Sequence, residues 1–274
     1  MRTINTLQIS DYIEELCERL NFRLDDRVLV LIQESAKRET SSIGKDVFSQ
    51  MLTSYRLAQE NKTPLCQDTG MVSVFLEIGQ DVFLEGIPIE EAINIGVRRA
   101  YTSSFFRYSI VKDPIGKREN TMDNTPCIVH TKIIPGNKVR IDMLIKGFGS
   151  ENATALRMFP PTASKKDVED FLLELIKEKG INACPPLFIG IGIGGTADYA
   201  VKLSKEALLR FEPMDEWECS LLEKVNSLKI GPAGLGGDIT GVYLKVKTFP
   251  THIAGLPVAI NINCHILRVG GITL

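Results

Sequence analysis

Residues 63–70, Thr-Pro-Leu-Cys-Gln-Asp-Thr-Gly, mark a change of pattern in this 274-residue chain. Before them, apolar residues recur at spacings of three and four: Ile13, Leu16 and Leu20, then Val28, Leu31 and Ile32, then Val47, Met51 and Tyr55. That periodicity predicts three helices between about Ile9 and Asn61, with breaks at Asn21 and Ser41-Ser42. After them, Met71-Val72-Ser73-Val74-Phe75-Leu76-Glu77-Ile78 is rich in β-formers and predicts a strand. The expected fold is α/β (α+β), a single domain over 1–274. Its lobes are a helical N-terminal part of about 1–62 and a mixed-sheet region with flanking helices over 63–274.

Further along, Pro88 followed by Glu90 and Glu91 opens a helix running toward Phe106. A polar loop from Lys112 to Asn124 follows. Strands Cys127–Ile134 and Lys138–Lys146 are joined by Pro135-Gly136-Asn137, the setting of a hairpin. Lys146-Gly147-Phe148-Gly149-Ser150-Glu151-Asn152 is either a capped strand-to-helix connection or a turn whose backbone N–H groups approach an anion. Ser164-Lys165-Lys166-Asp167 has capping-box spacing and opens an amphipathic helix to Lys179. Helices are expected over Ala197–Arg210 and Glu216–Ser227. Strands are expected over Ile239–Phe249 and Leu256–Asn263, with a glycine-dense turn at Gly231–Asp238 before them.

The 32 basic and 34 acidic residues nearly balance, and no long basic run stands out, which argues against a nucleic-acid or acidic-membrane partner. No apolar run approaches the roughly 18 residues of a membrane span, and the first residues lack a signal peptide's apolar segment. A cytoplasmic protein is the expectation. In that compartment the six cysteines do not form a disulfide framework, and without a CxxC pair they are not a zinc finger. Cys17, Cys127 and Cys219 sit in helix- or strand-like runs and read as buried core. Cys66, Cys184 and Cys264 lie in bends punctuated by glycine or proline, where a thiolate is placed to hold a metal.

Gly190, Gly192 and Gly195 fit the dinucleotide pattern GxGxxG between a strand and a helix. A nucleotide-binding unit needs a second strand ending in an acidic residue about 20 positions on. Here that region, Leu208 to Glu216, passes from helix to helix across Pro213. The Rossmann-type reading is therefore the weaker one.

Three thiolates suggest a different chemistry. A [4Fe–4S] cluster held by three leaves one iron open, and that iron acts as a Lewis acid on a hydroxy acid, favouring loss or addition of water. Cationic or backbone donors must clamp the substrate, and an acid must serve the departing oxygen. Asp68, His252, Arg107 and Arg118 are candidates. Their structural alternatives are a turn carboxylate, a satisfied histidine and two surface charges. A non-catalytic iron–sulfur subunit is the further alternative.

Five stretches carry a resemblance: Cys66-Gln67-Asp68-Thr69-Gly70, Lys146 to Asn152, Gly190 to Thr196, Ser204-Lys205-Glu206-Ala207-Leu208, and Leu256-Pro257-Val258-Ala259 leading to Cys264-His265. In order and nearly end to end, the chain resembles the class I (iron–sulfur) fumarases, and more closely the separate α subunit of two-subunit fumarate hydratases and L-tartrate dehydratases. The resemblance implies that Cys66, Cys184 and Cys264 hold a [4Fe–4S] cluster and that Gln67, Arg107 and Gly149 contact substrate. It further implies that Asp68 and His252 act on the leaving or entering water. A β subunit would supply the proton-abstracting base and more of the carboxylate clamp, with the chain pairing as an α–α dimer within a heterotetramer. Malate and fumarate are the expected substrates, with tartrate second. Phe148 and Met122 stand where such proteins usually have glycine, which bears on the substrate pocket rather than on the ligands.

Overall fold

The computed structural model describes residues 2–274. In chain order the elements are β1 (Arg2–Asn5), α1 (Thr6–Phe22), α2 (Asp26–Arg38), α3 (Ser42–Asn61), β2 (Met71–Gly79), β3 (Val82–Glu85) and α4 (Ile89–Ser103). Then follow β4 (Ile128–Ile134), β5 (Val139–Lys146), α5 (Phe148–Glu151), β6 (Ala155–Phe159), α6 (Lys165–Lys179), β7 (Leu187–Gly194) and α7 (Ala197–Glu206). The last are α8 (Glu216–Asn226), β8 (Gly241–Phe249), β9 (Leu256–Asn263) and β10 (Arg268–Thr273). Short 3-10 turns occupy Ile181–Ala183 and Pro232–Gly234. This is the mixed helix and sheet fold expected, with its helices concentrated near the N-terminus.

The chain forms two compact units, each discontinuous in sequence. The first joins the chain up to Asp25 with Tyr55–Phe148 and Arg268–Leu274; the second joins Asp26–Ser54 with Gly149–Leu267. The change from helices to strands near residue 62 therefore falls inside the first unit.

In the first unit, Asn5 caps α1 by accepting the Leu7 N–H at 2.8 Å. Ile9, Ile13, Leu16, Cys17 and Leu20 then fall on one buried stripe, and the helix ends at Phe22, one residue past the break expected at Asn21, which is itself buried. This stripe, with Ile93, Val97 and Tyr101 of α4, covers a sheet of order β10-β5-β2-β4. Each fully buried side chain, such as Ile13 or Met143, contributes about 1.5–3 kcal/mol relative to exposure. β1 and β3 form a separate parallel pair.

β4 and β5 are not a hairpin. Both pair with β2, β4 parallel and β5 antiparallel, so that Val74 faces Val129 on one side and Met143 on the other. β2 is apolar on both faces and takes the centre, where it needs a partner on each edge. The Ile134–Lys138 connection instead receives N–H groups from the end of β2 and the two residues after it: Gly79 donates to Lys138 O, Gln80 to Ile134 O and Asp81 to Gly136 O, at 2.8–2.9 Å.

The second unit is a sheet of order β6-β9-β7-β8, with β7 and β8 parallel and the other pairs antiparallel. The strand β6 carries no clear alternation and was not expected from the sequence. Ser164 and Asp167 form the capping box that opens α6. A second box, Asp215 with Glu218, opens α8. Gly190 and Gly192 lie inside β7, not in a loop after it. A Cβ on either would stand 2.0 Å from a carbonyl oxygen of α7, that of Ser204 or Ala200 respectively, so these glycines let the helix lie directly on the strand. That packing role accounts for the dinucleotide-like spacing.

The helical segment α2 belongs to this unit. Arg27 stacks over Phe211, 5.1 Å from its ring centre, and Phe211 in turn contacts Phe188 and Tyr243. After α2, Glu39 reaches the glycine-dense turn before β8. Its carboxylate accepts the N–H groups of Ser41, Asp238 and Ile239 at 2.9–3.0 Å. No described helix is long and apolar enough to cross a membrane.

Candidate active site

The cysteines fall into distinct environments. Cys17 and Cys127 are buried, and desolvation pushes both thiols up, Cys127 to about 12. They are core residues, as the sequence suggests. Cys219, expected to be buried, is exposed: α8 turns Glu218, Leu221, Leu222 and Val225 inward and leaves position 219 on its outer stripe. Cys66 and Cys264 are half-buried and Cys184 is exposed, all three on irregular backbone between elements.

In the second unit, Cys184 and Cys264 belong to adjoining segments, because the His265 N–H donates to Cys184 O at 3.3 Å. Cys184 ends the Ile181–Ala183 turn with φ 53° and ψ 72°, a left-handed conformation that costs a non-glycine residue on the order of 1–2 kcal/mol. The following residue is held too, since Pro185 O accepts the Ala233 N–H at 2.8 Å from the glycine-dense turn. Asn263, fully buried, donates to Cys264 O at 3.0 Å and to Ile266 O at 3.4 Å, fixing the bend at the end of β9. Desolvation lowers His265 to about 4, so its imidazole is neutral at physiological pH.

Also in this unit, His252 is exposed, and its Nδ1 accepts the Ala254 N–H at 3.1 Å, which leaves the proton on Nε2. Gly149 is exposed, and a Cβ placed on it would come no closer to a non-neighbouring residue than 3.7 Å, from Asn182 O. Nearby in sequence, Glu151 pairs with Lys205 at 2.8 Å, joining two of the stretches that carried the resemblance.

The first unit holds Cys66, Gln67, Asp68 and Arg107. Asp68 is the residue whose structural role is most visible: Oδ1 accepts the Gly70 N–H and Oδ2 the Phe148 N–H, each at 2.9 Å. The Lys146–Asn152 segment is thus a strand-to-helix connection, and the first N–H of α5 goes to this carboxylate. Each oxygen keeps a second lone pair, so Asp68 remains able to accept a further proton or hydrogen bond. Gly70 has φ +75°, and a Cβ there would stand 2.7 Å from Lys146 O, so only glycine closes the turn. Gln67 and Arg107 are exposed, and the Arg107 carbonyl accepts the Thr69 hydroxyl at 3.0 Å. Arg118 is exposed and donates to Pro114 O within its own loop. Phe148 is half-exposed and Met122 exposed.

Sequence reasoning missed the groups behind this turn. Tyr101 donates to Thr69 O at 2.6 Å, Asn124 to Gly70 O at 3.0 Å, and Asn21 O accepts the Leu65 N–H at 2.8 Å. Asn124, with its left-handed backbone (φ 57°), left a trace in the Met122-Asp123-Asn124-Thr125-Pro126 turn. Tyr101 and Asn21 look in sequence like ordinary helix residues.

Among the described residues, no three His, Cys, Asp or Glu side chains converge as ligands of a single metal ion. An iron–sulfur cluster is held iron by iron, one thiolate to each, and the three solvent-reachable loop thiols are the donor type it takes.

Comparison with known proteins bears on all of these stretches. The family model described as Fumarate hydratase (Fumerase) matches residues 10–273. A Methanocaldococcus jannaschii protein named provisionally as L(+)-tartrate dehydratase subunit alpha is 38% identical over 270 residues, spanning 94% of each chain. The L(+)-tartrate dehydratase subunit alpha of Escherichia coli strain UTI89 is 26% identical over 274 residues, spanning 96% of this chain and 89% of its own. The match covers nearly every element described above, the loops of Cys66, Cys184 and Cys264 included, and the chain belongs to the fumarate hydratase (Fumerase) family.

Proposed function

We propose that this hydro-lyase chain is the cluster-bearing α subunit of an enzyme that reversibly removes water from a 2-hydroxy dicarboxylate. The observation that carries the reading is the pairing of the Cys184 and His265 backbones, which sets the Cys184 and Cys264 segments side by side on otherwise irregular chain. Cys66, Cys184 and Cys264 would hold a [4Fe–4S] cluster. When bound, the cluster supplies a Lewis-acidic iron for the substrate's hydroxyl and carboxylate.

The chain's own residues would do the rest. Asp68, its carboxylate oriented by two backbone N–H groups, would take a proton from the entering water in hydration and return it to the departing hydroxyl in dehydration. His252, with Nδ1 occupied, offers Nε2–H as a donor to the same oxygen. Gln67, exposed Arg107 and the open backbone at Gly149 are suited to carboxylate binding. A β subunit would supply the proton-abstracting base, and the names of the relatives as α subunits support such a partner. An α–α dimer within a heterotetramer is the assembly we expect.

The family's name supports malate and fumarate as the substrate pair. The second reading, dehydration of L(+)-tartrate, is supported by the relatives at 38% and 26% identity. Anaerobic co-expression with the product of the neighbouring gene, followed by assays on malate and on L-tartrate, tests both. Turnover of neither by a complex with bound iron and sulfide would favour a non-catalytic iron–sulfur subunit. Absence of iron and sulfide from an anaerobically reconstituted chain would sink the cluster assignment.

A further inference from the structure

Behind the Cys66–Gly70 turn lies a buried charge that none of the roles above uses. Arg268, the first residue of β10, is 2% exposed. Its Nη1 donates to Asn21 Oδ1 at 2.8 Å, and its Nη2 lies 3.0 Å from where a Cβ on Gly70 would stand. Its Nε–H is buried without a hydrogen-bond partner, and among the described residues no carboxylate pairs with the guanidinium. Asn21 is itself committed, donating from Nδ2 to Cys17 O at 3.0 Å and accepting the Leu65 N–H on its backbone oxygen. One arm of this cluster thus holds the chain just before Cys66, and the other abuts Gly70 just after Asp68. Tyr101, whose phenol feels Arg268 and Asp68 in opposite senses, ties Thr69 between them.

A guanidinium removed from water with one neutral partner is an unbalanced arrangement. Buried charges are ordinarily matched by an opposite charge, because desolvation of an isolated ion is severe. Asp68 turns its two oxygens to the Gly70 and Phe148 N–H groups and makes no ion pair with Arg268, whose hydrogen-bond partner is the Asn21 amide. Resting on the cluster reading above, we propose that Arg268 is a positioning residue for the Cys66–Gly70 turn. Its charge is balanced by the negative charge the turn acquires when Cys66 becomes a metal-bound thiolate.

The experiment separates charge from scaffolding. The full chain is loaded anaerobically with ferrous iron and sulfide, and loss of iron to a ferrous chelator is timed, alongside thermal melting of the metal-free protein. Asn21→Asp places a carboxylate against Arg268 and cancels its charge in place; Arg268→Met removes the charge at similar volume; Arg268→Lys keeps it. Supporting groups of metal ligands typically change affinity by about 10- to 100-fold, so Asn21→Asp and Arg268→Met should release iron at least about tenfold faster than the native chain, with Arg268→Lys far less affected. Asn21→Asp trades the hydrogen bond to Cys17 O for an ion pair with Arg268 and should melt close to the native chain, an outcome that a scaffolding role alone does not couple to iron loss. If Arg268→Met does not fold, Asn21→Asp carries the test. Iron retention in Asn21→Asp equal to native overturns the proposal, as does iron loss that merely follows the melting temperature across all three variants. A native chain that takes up neither iron nor sulfide removes the cluster reading, and this inference with it.

Discussion

Glu39 offers the sharpest test of how the second unit is held together. Its carboxylate is 1% exposed, and it collects three backbone donors: Ser41 N–H on Oε1, Asp238 N–H shared by both oxygens, and Ile239 N–H on Oε2. Glu39→Ala leaves all three unsatisfied. Each buried orphan costs about 1–3 kcal/mol, and water reaches the half-buried Ser41 and Asp238 donors more readily than Ile239, so the expected loss is about 3–5 kcal/mol. Glu39→Gln keeps the shape but turns one oxygen into an N–H₂ facing an N–H, for a loss of about 1–2 kcal/mol. The sole tryptophan, Trp217, lies in the same unit and donates to Glu169 at 3.0 Å. Its fluorescence in a urea titration therefore follows this unit even if the two units unfold separately. The reasoning fails if Glu39→Ala unfolds within about 0.5 kcal/mol of the native chain, the scatter of an ordinary surface substitution.

The remaining predictions are more local. Gly190→Ala and Gly192→Ala each drive a methyl group into an α7 carbonyl 2.0 Å away and should lower stability by about 1–3 kcal/mol or more, read by thermal melting; unchanged melting would reopen a ligand role for these glycines. Cys66→Ser, Cys184→Ser and Cys264→Ser should each abolish uptake of iron and sulfide, whereas Cys219→Ser, on the outer face of α8, should leave it intact. Because burial raises the Cys17 and Cys127 thiols, both should stay protonated and resist iodoacetamide at pH 8 while Cys184 and Cys219 react, as peptide mapping would show. Asp238 is depressed to about 2 by the Lys229 ammonium and the Thr40 hydroxyl and N–H, so its contribution to stability is complete above about pH 4 and disappears as pH falls through 2; Asp238→Asn should flatten that part of the acid-unfolding curve.

Much of the secondary structure is legible because its signals are local. The stripe of α1, the Ser164–Asp167 box and the alternation-free run of β2 each declare themselves within a turn or two of chain. Pairing is another matter. β4 and β5 look like a hairpin because the residues between them are turn formers, but the choice of β2 as the shared partner depends on its double-sided burial, a property of the assembled sheet. Cys219 was misassigned for a similar reason: its neighbours are apolar, yet the face it occupies is set by which stripe of α8 meets the sheet. Among the candidate site residues, Cys66, Asp68, Cys184 and Cys264 stand out by glycine, proline and motif. Arg268 and Glu39 do not, since a single charge in a strand or between helices reads as surface until its burial is known.

The first sheet depends on β10, which comes far later in the chain than β5, to cover the free edge of β5. On the ribosome, then, α1, β2 and β4 emerge early and must wait through more than a hundred further residues of synthesis before that edge is closed. During this interval β5 presents unpaired backbone to its surroundings, an opening for neighbouring nascent chains. Removal of β10 would make that transient exposure permanent, so loss of these few residues should promote aggregation out of proportion to their number.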